Sequence, residues 1–182
     1  MRAARRAVAG EAHGRVLEIG VGVGANWPHL PQGIHYTGIE PDAYMLERAR
    51  GHAAEEGRVV DLQQASAEQL PFDDATFDTI IVTLTFCSVG DLSRSLAEAM
   101  RVLKPGGELR FWEHVAADHG AKARVLDAIT PLWRRVAAGC EPNRRTESAV
   151  RAAGFDVRIE DRSSISGLPA IRGVATKPGS AA

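Results

Sequence analysis

The chain has 182 residues, a length typical of one domain that buries a core without disulfide or metal support. Its formal net charge of −1 lacks the strong basic excess typical of nucleic-acid binding, so we expect no nucleic-acid partner. The two cysteines are too few for a disulfide framework or a cysteine-based metal site, so we expect a cytoplasmic protein without a metal. No apolar run approaches the roughly 20 residues that span a bilayer, and no membrane contact is expected.

Apolar runs of strand length alternate with helical patterns along the first half of the chain. The basic first residues lack the long apolar stretch of a signal peptide and predict a short helical arm over residues 1–14. The elements predicted next are a strand at 15–19, a glycine turn with a helix starting near Ala25, a strand at 34–40, a helix opening at Pro41 and Asp42, and a strand at 58–65.

The second half continues this alternation. Its predicted elements are a strand within 77–86, a helix capped by Asp91 and stopped at Lys104–Gly107, a strand at 108–115, a helix across 121–138, a helix capped by Thr146, and strands at 155–160 and 171–177. Alternating strands and helices build βαβ units, so we predict one α/β domain over residues 15–177, with a doubly wound, mostly parallel sheet. Residues 178–182 are expected to form a disordered tail.

A glycine-rich turn follows the first predicted strand and carries Gly20, Gly22 and Gly24. Glycine lets the backbone approach a ligand closely. Glu40 ends the second strand twenty positions after Gly20, where an acidic side chain can bind both ribose hydroxyls of a nucleotide. The glycine spacing departs from the G-x-G-x-x-G pattern of dinucleotide sites. Glu18 suits a ligand with a cationic amine better than a pyrophosphate, which favours S-adenosylmethionine (SAM) over a nicotinamide dinucleotide.

Four motifs, in this order, resemble those of the class I SAM-dependent methyltransferases: "LEIGVGVGAN", the acid of "GIEP", "ASAEQLPFDDATFD" and "RVLKPGG". The resemblance implies SAM as cofactor and S-adenosylhomocysteine as product. It also implies that the three glycines pass the methionine tail, that Glu18 supports its amine and that Glu40 holds the ribose. The other cofactor-binding residues that it implies are Tyr44 and Met45 on the adenine, Ser66 and Ala67 at the adenine edge, and Thr83 through its carbonyl. Many relatives carry Asp at the position of Ser66.

Three later segments, "TLTFCSVGD", "FWEHV" and "GCEPNRRT", resemble the methyltransferase-like alkyl-thiol methyltransferases. This resemblance implies that the methyl acceptor is a small thiol. Eukaryotic members begin with a hydrophobic membrane anchor that this sequence does not show, so membrane residence is not carried over. The residues assigned to the acceptor pocket are Trp27, Phe86, Cys87, Trp112, Trp133 and Cys140.

His114 follows the fifth predicted strand, at the edge of the sheet where the acceptor is expected. A thiol, with a pKa of about 8.5, reacts as its thiolate. An imidazole with a pKa near 6.5 can remove that proton, so His114 is the candidate catalytic base. The alternative is that His114 only orders its loop. Cys87 is interpreted as a small buried residue, because methyl transfer from SAM needs no covalent enzyme intermediate.

Other functions stay open at this point. The methyl group could go to oxygen, nitrogen or carbon of another small molecule, including quinone-like rings. A non-catalytic SAM-binding partner protein would carry the same glycine turn and Glu40. A nicotinamide dehydrogenase is disfavoured by the glycine spacing and by the later motifs. The sequence indicates no oligomeric state.

Overall fold

The computed structural model describes residues 1–117 and 120–179. The strands are β1 (Arg15–Ile19), β2 (His35–Ile39), β3 (Asp61–Gln63), β4 (Phe77–Thr83), β5 (Leu103–His114), β6 (Asp156–Ile165) and β7 (Leu168–Thr176). The helices are α1 (Arg2–Ala9), α2 (Ala43–Glu55), α3 (Leu92–Val102), α4 (Ala121–Val136) and α5 (Thr146–Ala152), with a 3-10 helix at Trp27–His29. Within the described residues the strands form one sheet in the order β3-β2-β1-β4-β5-β7-β6.

The sheet is parallel from β3 to β5, and β7 lies antiparallel between β5 and β6. This confirms the predicted doubly wound, mostly parallel sheet. The chain winds outwards in opposite directions from β1 and β4, which are neighbours in the sheet. Such a reversal leaves a crevice at the carboxyl ends of the two strands, because their following connections lie on opposite faces.

The central strand β4 shows why the sheet is buried on both faces. Six of the seven residues of its sequence FDTIIVT are buried, as expected for a strand covered on both faces of the sheet. Ile80, Ile81 and Val82 are all fully buried. Helix α3 contributes Leu96 to the core cluster that contains Ile80, and it begins at the predicted cap, where the Asp91 side chain accepts a hydrogen bond from the Arg94 backbone.

The predicted N-terminal helix is present as α1 and packs on the sheet through Val8, which is buried. The buried side chain of Arg110, on β5, donates from Nε to the Val8 carbonyl at 3.0 Å and forms an ion pair with Glu11. A cation at this end of a helix satisfies carbonyls that have no partner within the helix. These contacts fix α1 against the sheet and bring Arg5 to the crevice.

The prediction of an α-helix starting near Ala25 is wrong. The chain forms only the short 3-10 helix at Trp27–His29, which contains Pro28. Leu30 is extended, with φ −68° and ψ 139°. The residue before a proline is driven to this conformation, and Pro31 has no N–H to continue a helix, so the two prolines stop the element after one turn.

Two further predictions need correction. The strand expected at 58–65 is limited to β3, and Val59 is fully exposed, because this edge strand pairs only with the short β2. Thr146 was predicted to cap the next helix, but it is the first residue of α5, and Arg145 holds the capping position. The Thr146 hydroxyl is buried and has no hydrogen-bond partner among the described residues.

Of the tail predicted at 178–182, residues 180–182 lie outside the described residues. None of the helices in the described part of the chain combines the length and the apolar composition that crossing a bilayer requires.

Candidate active site

A cleft of about 810 Å³ lies at the carboxyl ends of β1, β2 and β4, where the strand order reverses. Its volume and its position are those of ligand sites in open α/β sheets. The predicted cofactor-binding residues that line it are Gly20, Gly22, Glu40, Met45, Ser66, Ala67 and Thr83. Three predicted residues, Glu18, Gly24 and Tyr44, are not in this lining. Most of the predicted cofactor set therefore converges on one site.

Two glycines of the turn allow close packing that no other residue would permit. Gly20 has φ +74°, and a Cβ there would lie 2.3 Å from the hydroxyl oxygen of Thr85. Gly24 has φ +82°, and its Cβ would lie 2.4 Å from the ring of Trp27. Gly20 thus lets the segment after β1 approach the segment after β4, whereas Gly24 makes room for a core indole.

Glu40 is held at the edge of the cleft by backbone groups on both sides of it. Its Oε2 accepts a hydrogen bond from the Gly22 N–H at 2.9 Å, and its Oε1 accepts one from the Asp42 N–H at 3.2 Å. The residue is 9% exposed and lines the cleft. A carboxylate has about four acceptor positions, so two are left for hydroxyl groups of a ligand. This geometry suits the predicted ribose contact.

Glu18 lies behind the glycine turn and not on the surface of the cleft. Its two oxygens accept hydrogen bonds from the Asn26 amide at 2.7 Å and from the Tyr36 hydroxyl at 2.6 Å. Tyr36 in turn accepts a hydrogen bond from Trp27 Nε1 at 2.8 Å. Burial raises the pKa of Glu18 to about 7, although both hydrogen bonds favour its charged form. The carboxylate is placed to organise the floor of the cleft.

Arg5 is a cleft residue that sequence reasoning missed. It comes from α1, and its Nη1 donates to Asn26 Oδ1 at 2.9 Å and to Thr83 Oγ1 at 3.0 Å. A guanidinium here adds a positive charge beside the end of β4. The sequence offered no signal for this role, because several arginines occupy the first residues and their helix has no fixed place until the fold is known.

The predicted adenine side is only partly assembled. Met45 lines the cleft, whereas Tyr44 is 70% exposed and lies over Arg48. Ser66 donates its hydroxyl to Glu68, whose other oxygen accepts backbone N–H groups from the segment that precedes α3. Ser66 and Glu68 therefore form one polar unit at this end of the cleft.

The opposite side of the cleft is organised by Glu113, near the end of β5. Its carboxylate is fully buried and accepts hydrogen bonds from three successive backbone N–H groups, those of Thr85, Phe86 and Cys87, at 2.8, 3.0 and 3.1 Å. Burial raises the pKa of Glu113 to about 7 against the effect of these hydrogen bonds. Glu113 thus fixes the loop after β4 through the backbone N–H groups of that loop.

Arg144 fixes the same loop through its backbone carbonyl groups. Its guanidinium donates to the carbonyl of Phe86 at 2.9 Å and to that of Val89 at 2.5 Å, and it is paired with Glu141 at 2.7 Å. The Glu141 N–H donates to the carbonyl of Cys87 at 2.7 Å. The three segments that resemble thiol methyltransferases are therefore joined by these contacts into one structure.

Cys87, His114 and Cys140 meet inside this structure. Their ligand-type atoms all lie within 4.8 Å of one another, and Cys140 Sγ is 3.5 Å from His114 Nδ1. Both cysteines are buried, and the His114 Nε2 is buried without a hydrogen-bond partner among the described residues. Interaction between the two thiols lowers the pKa of Cys140 and raises that of Cys87. The group lies beside the cleft wall, and His114 is not in the cleft lining.

The aromatic side chains predicted for the acceptor pocket do not line the cleft. Trp27 is 1% exposed and stacks on His52 at 5.6 Å, and Phe86 is fully buried in the main core. Trp112 is buried, with the Arg5 guanidinium 6.0 Å from its ring centre. Trp133 is half-buried, near Cys140. The side of the cleft where the acceptor is expected is instead lined by residues of the loops, including Thr85, Ser88 and Ala138. We call it the acceptor side.

One lining residue of this side has a strained backbone. Leu84 follows β4 directly and has φ +57°, a left-handed conformation that non-glycine residues adopt rarely. Such strain is maintained only where the surroundings enforce it, and it is concentrated at functional sites. Here the Leu84 N–H is bound to the carbonyl of Trp112 at 2.8 Å, which ties the start of the loop to β5.

Comparisons with known proteins concern the family and the fold of this chain. A family model described as a methyltransferase domain matches residues 17–111. The chain is 34% identical to the human thiol S-methyltransferase TMT1B over 157 residues, which are 82% of this chain and 64% of that protein. It is 32% identical to the demethylmenaquinone methyltransferase of Clavibacter sepedonicus over 192 residues, covering 94% and 78% of the two chains. The chain thus spans less than two thirds of the length of the thiol methyltransferase.

Among solved structures, the YcgJ protein of Bacillus subtilis superimposes with a TM-score of 0.78 at 20% identity, covering 96% of each chain. This similarity concerns the fold. The chain belongs to the class I SAM-dependent methyltransferases, as its four ordered motifs predict.

Proposed function

We propose that this protein transfers the methyl group of SAM to the sulfur of a small thiol and releases S-adenosylhomocysteine. The observation that carries the proposal is the convergence of Cys87, His114 and Cys140 beside the wall of the cofactor cleft. The similarity to TMT1B, whose name describes a thiol S-methyltransferase, supports the same acceptor class.

The residues of the cleft fit SAM feature by feature. The methionine tail carries a carboxylate and an amine, for which Arg5 and the Thr83 carbonyl are suitable partners at the end of β4. Glu40 has acceptor positions free for the ribose hydroxyls. Met45 and Ala67 offer apolar surface for the adenine. Gly20 lets the segment after β1 approach Thr85 closely, which brings the two segments together at the cleft.

The chemical demands on the protein are modest once both partners are in place. SAM supplies, when bound, a methyl group already activated by its sulfonium. The chain has to hold the acceptor sulfur in line with that methyl group and keep water out, and these two effects can account for most of the rate enhancement. The fixed loop after β4 provides the positioning. Because a thiol must also lose its proton, the titratable group at Cys87, His114 and Cys140 is suited to take part in that step.

A turnover screen tests this proposal. Purified protein is incubated with methyl-labelled SAM and, in separate reactions, an alkyl thiol, a phenol, an amine and a reduced quinone, and the products are identified by mass. We expect a labelled methyl thioether and labelled product from no other acceptor. Labelled product from another acceptor but not from the thiol would contradict thiol methylation.

Carbon methylation of a quinone-like ring is the second candidate. It is favoured by the similarity to the demethylmenaquinone methyltransferase, which extends over 94% of this chain. The reduced quinone in the screen tests it directly. The cluster of sulfur and imidazole groups has no evident purpose in that reaction, so thiol methylation is the preferred function.

A further inference from the structure

Three soft ligand groups from distant parts of the chain meet at one point beside the cleft. Cys87 belongs to the loop after β4, His114 is the last residue of β5, and Cys140 follows α4. In a tetrahedral zinc site with bonds of about 2.0–2.3 Å, ligand atoms are roughly 3.5 Å apart. The distance between Cys140 Sγ and His114 Nδ1 is 3.5 Å, and all three ligand atoms lie within 4.8 Å of one another. Changes of no more than about 1.3 Å in these separations would complete a zinc-binding geometry.

The contacts around the cluster hold two of its ligands in place without a metal. Glu113 binds the N–H of Cys87 and of the two residues before it. The Cys87 carbonyl accepts the Glu141 N–H, which directly follows Cys140 in the chain. Partners of this kind, outside the ligands themselves, set ligand orientation in metal sites and typically change metal affinity by 10–100-fold. The scaffold is thus preorganised in the way that a metal site requires.

The cluster has few polar contacts of its own. Cys87 Sγ has Ser88 Oγ at 3.7 Å, and the buried Nε2 of His114 has no hydrogen-bond partner among the described residues. Two thiolates and one Zn²⁺ sum to zero charge, which suits a buried setting better than a free thiolate does. Soft sulfur and imidazole donors are those that select zinc over magnesium or calcium.

We propose, against the expectation drawn from the cysteine count, that Cys87, His114 and Cys140 bind one Zn²⁺ ion whose fourth position receives the acceptor thiol. This proposal deepens the proposed function and its catalytic part rests on it. A set of two cysteines, one histidine and one exchangeable position is a known arrangement of catalytic zinc. The cluster adjoins the cleft through Ser88, which contacts Cys87 and lines the cleft.

The ion would take over the activation of the acceptor. A thiol that coordinates zinc loses its proton, which leaves to solvent. The thiolate sulfur then uses a lone pair to form a bond to the methyl carbon, and the bond between that carbon and the SAM sulfur breaks with its electron pair left on the sulfur. The products are a neutral thioether, S-adenosylhomocysteine and one proton. The thioether is a weaker ligand than the thiolate and leaves the metal.

Metal binding by the reduced 182-residue chain is the first test. The protein is titrated with Zn²⁺ in competition with a chromophoric chelator, and with Co²⁺ as a spectroscopic substitute. We expect one ion per chain and a thiolate-to-cobalt charge-transfer band. Because the chain has only two cysteines, that band reports on this cluster alone. A reduced wild-type protein that binds no stoichiometric Zn²⁺, or Co²⁺ without the band, would overturn the proposal.

Substitutions at His114 separate a ligand from a residue that only supports the fold. His114→Gln should weaken Zn²⁺ binding by more than roughly 100-fold, beyond the loss expected for a supporting partner. His114→Cys keeps a ligand and should restore most of the affinity, and His35→Gln, at an exposed position of β2, should leave it unchanged. Unchanged Zn²⁺ affinity in a folded His114→Gln protein would contradict the assignment.

The fourth position is tested with the cobalt-loaded protein. Ethanethiol should change the cobalt spectrum, and ethanol at the same concentration should not; no change with ethanethiol would refute thiol coordination. Turnover then separates this proposal from the proposed function. Full thiol methylation after the metal is removed would refute the role of the ion and leave thiol methylation intact. Zinc-loaded protein that binds ethanethiol but methylates no thiol would uphold the site and refute the function.

Discussion

On the cofactor side of the cleft and on its acceptor side, one carboxylate fixes a loop by accepting hydrogen bonds from backbone N–H groups. The two loops are nevertheless held by different sets of contacts. Glu40 binds the N–H of Gly22, 18 positions earlier in the turn after β1, and the N–H of Asp42, two positions later, so it joins the ends of two neighbouring parallel strands. Glu113 binds Thr85 and the next two residues, which lie 26 to 28 positions away. The cofactor side is thus closed between β1 and β2, whereas the loop on the acceptor side also needs Arg144, which binds it from 55 and 58 positions away. We expect substitutions on the two sides to have different consequences.

The largest effect is expected at Glu113. Glu113→Ala would leave three backbone N–H groups without an acceptor, those of Phe86 and Cys87 buried and that of Thr85 partly buried, and each buried group costs about 1–3 kcal/mol. We expect the free energy of unfolding to fall by at least about 3 kcal/mol, as measured by urea denaturation. Glu113→Gln keeps one oxygen and should lose less. A loss below about 1 kcal/mol in Glu113→Ala would show that the loop does not depend on this carboxylate.

The pH dependence of stability should come next in size. Burial raises the pKa of both Glu18 and Glu113 to about 7, above the ordinary value of 4.5. Between these values the folded state binds more protons than the unfolded state, so stability falls as pH rises. The contribution of each carboxyl is fully present below about pH 4.5 and is lost as pH rises through about 7. One pKa unit is about 1.4 kcal/mol, so the loss is at most about 3 kcal/mol for each group.

Glu18→Gln isolates the share of one carboxyl in this pH dependence. An amide there can still accept from Asn26 and can donate to the oxygen of Tyr36, so the packing is kept. We expect the free energy of unfolding of this variant to decline less steeply than that of the wild type from about pH 5 to about pH 8, in the absence of SAM. Equal slopes in the two proteins would mean that Glu18 is ionised throughout this range.

Glu40→Ala should affect the ligand more than the fold. Removing a carboxylate that binds two ribose hydroxyls should weaken SAM binding by about 2 kcal/mol, or roughly thirtyfold in Kd, as measured by calorimetry. Glu47→Ala, at an exposed position of α2, is the matched control and should bind SAM like the wild type. An unchanged Kd in folded Glu40→Ala protein would reject the ribose contact.

Arg5→Met should produce the smallest of these effects. It removes the guanidinium proposed to pair with the methionine carboxylate and keeps most of the apolar side chain. We expect a loss of SAM affinity of about tenfold. Arg6→Met, one position away on the exposed face of α1, should leave the affinity unchanged. Equal affinities of the two variants would place the carboxylate elsewhere.

The sequence predicted the cofactor side better than the acceptor side for a physical reason. A strand, a glycine turn and an acid at the end of the next strand are local patterns, and the sheet topology alone brings Gly20 and Glu40 together. Arg5 could not be predicted, since its position depends on where α1 packs. Nor could the partners of Glu113 and Arg144 be predicted, because these contacts exist only after β4, β5 and the segment after α4 are assembled.

The absence of a long helix after the glycine turn shows the same limit. The βαβ alternation favours a helix near Ala25, but Pro28 and Pro31 override it within one turn. The expectation of no metal rested on the cysteine count, which does not reveal that His114 ends the strand beside both cysteines, where we propose a zinc ion. His114 as a base is still a prediction, and the zinc titrations decide between that role and ligation.

Competition between a thiol and its oxygen analogue is the most direct test of methyl transfer from SAM to a thiol. The protein is given methyl-labelled SAM and an equimolar mixture of an alkyl thiol and the alcohol with the same carbon skeleton, and both possible products are quantified by mass in the same reaction. We expect labelled methyl thioether and no labelled methyl ether, with little product of either kind from Glu40→Ala. Labelled ether in preference to thioether would contradict it.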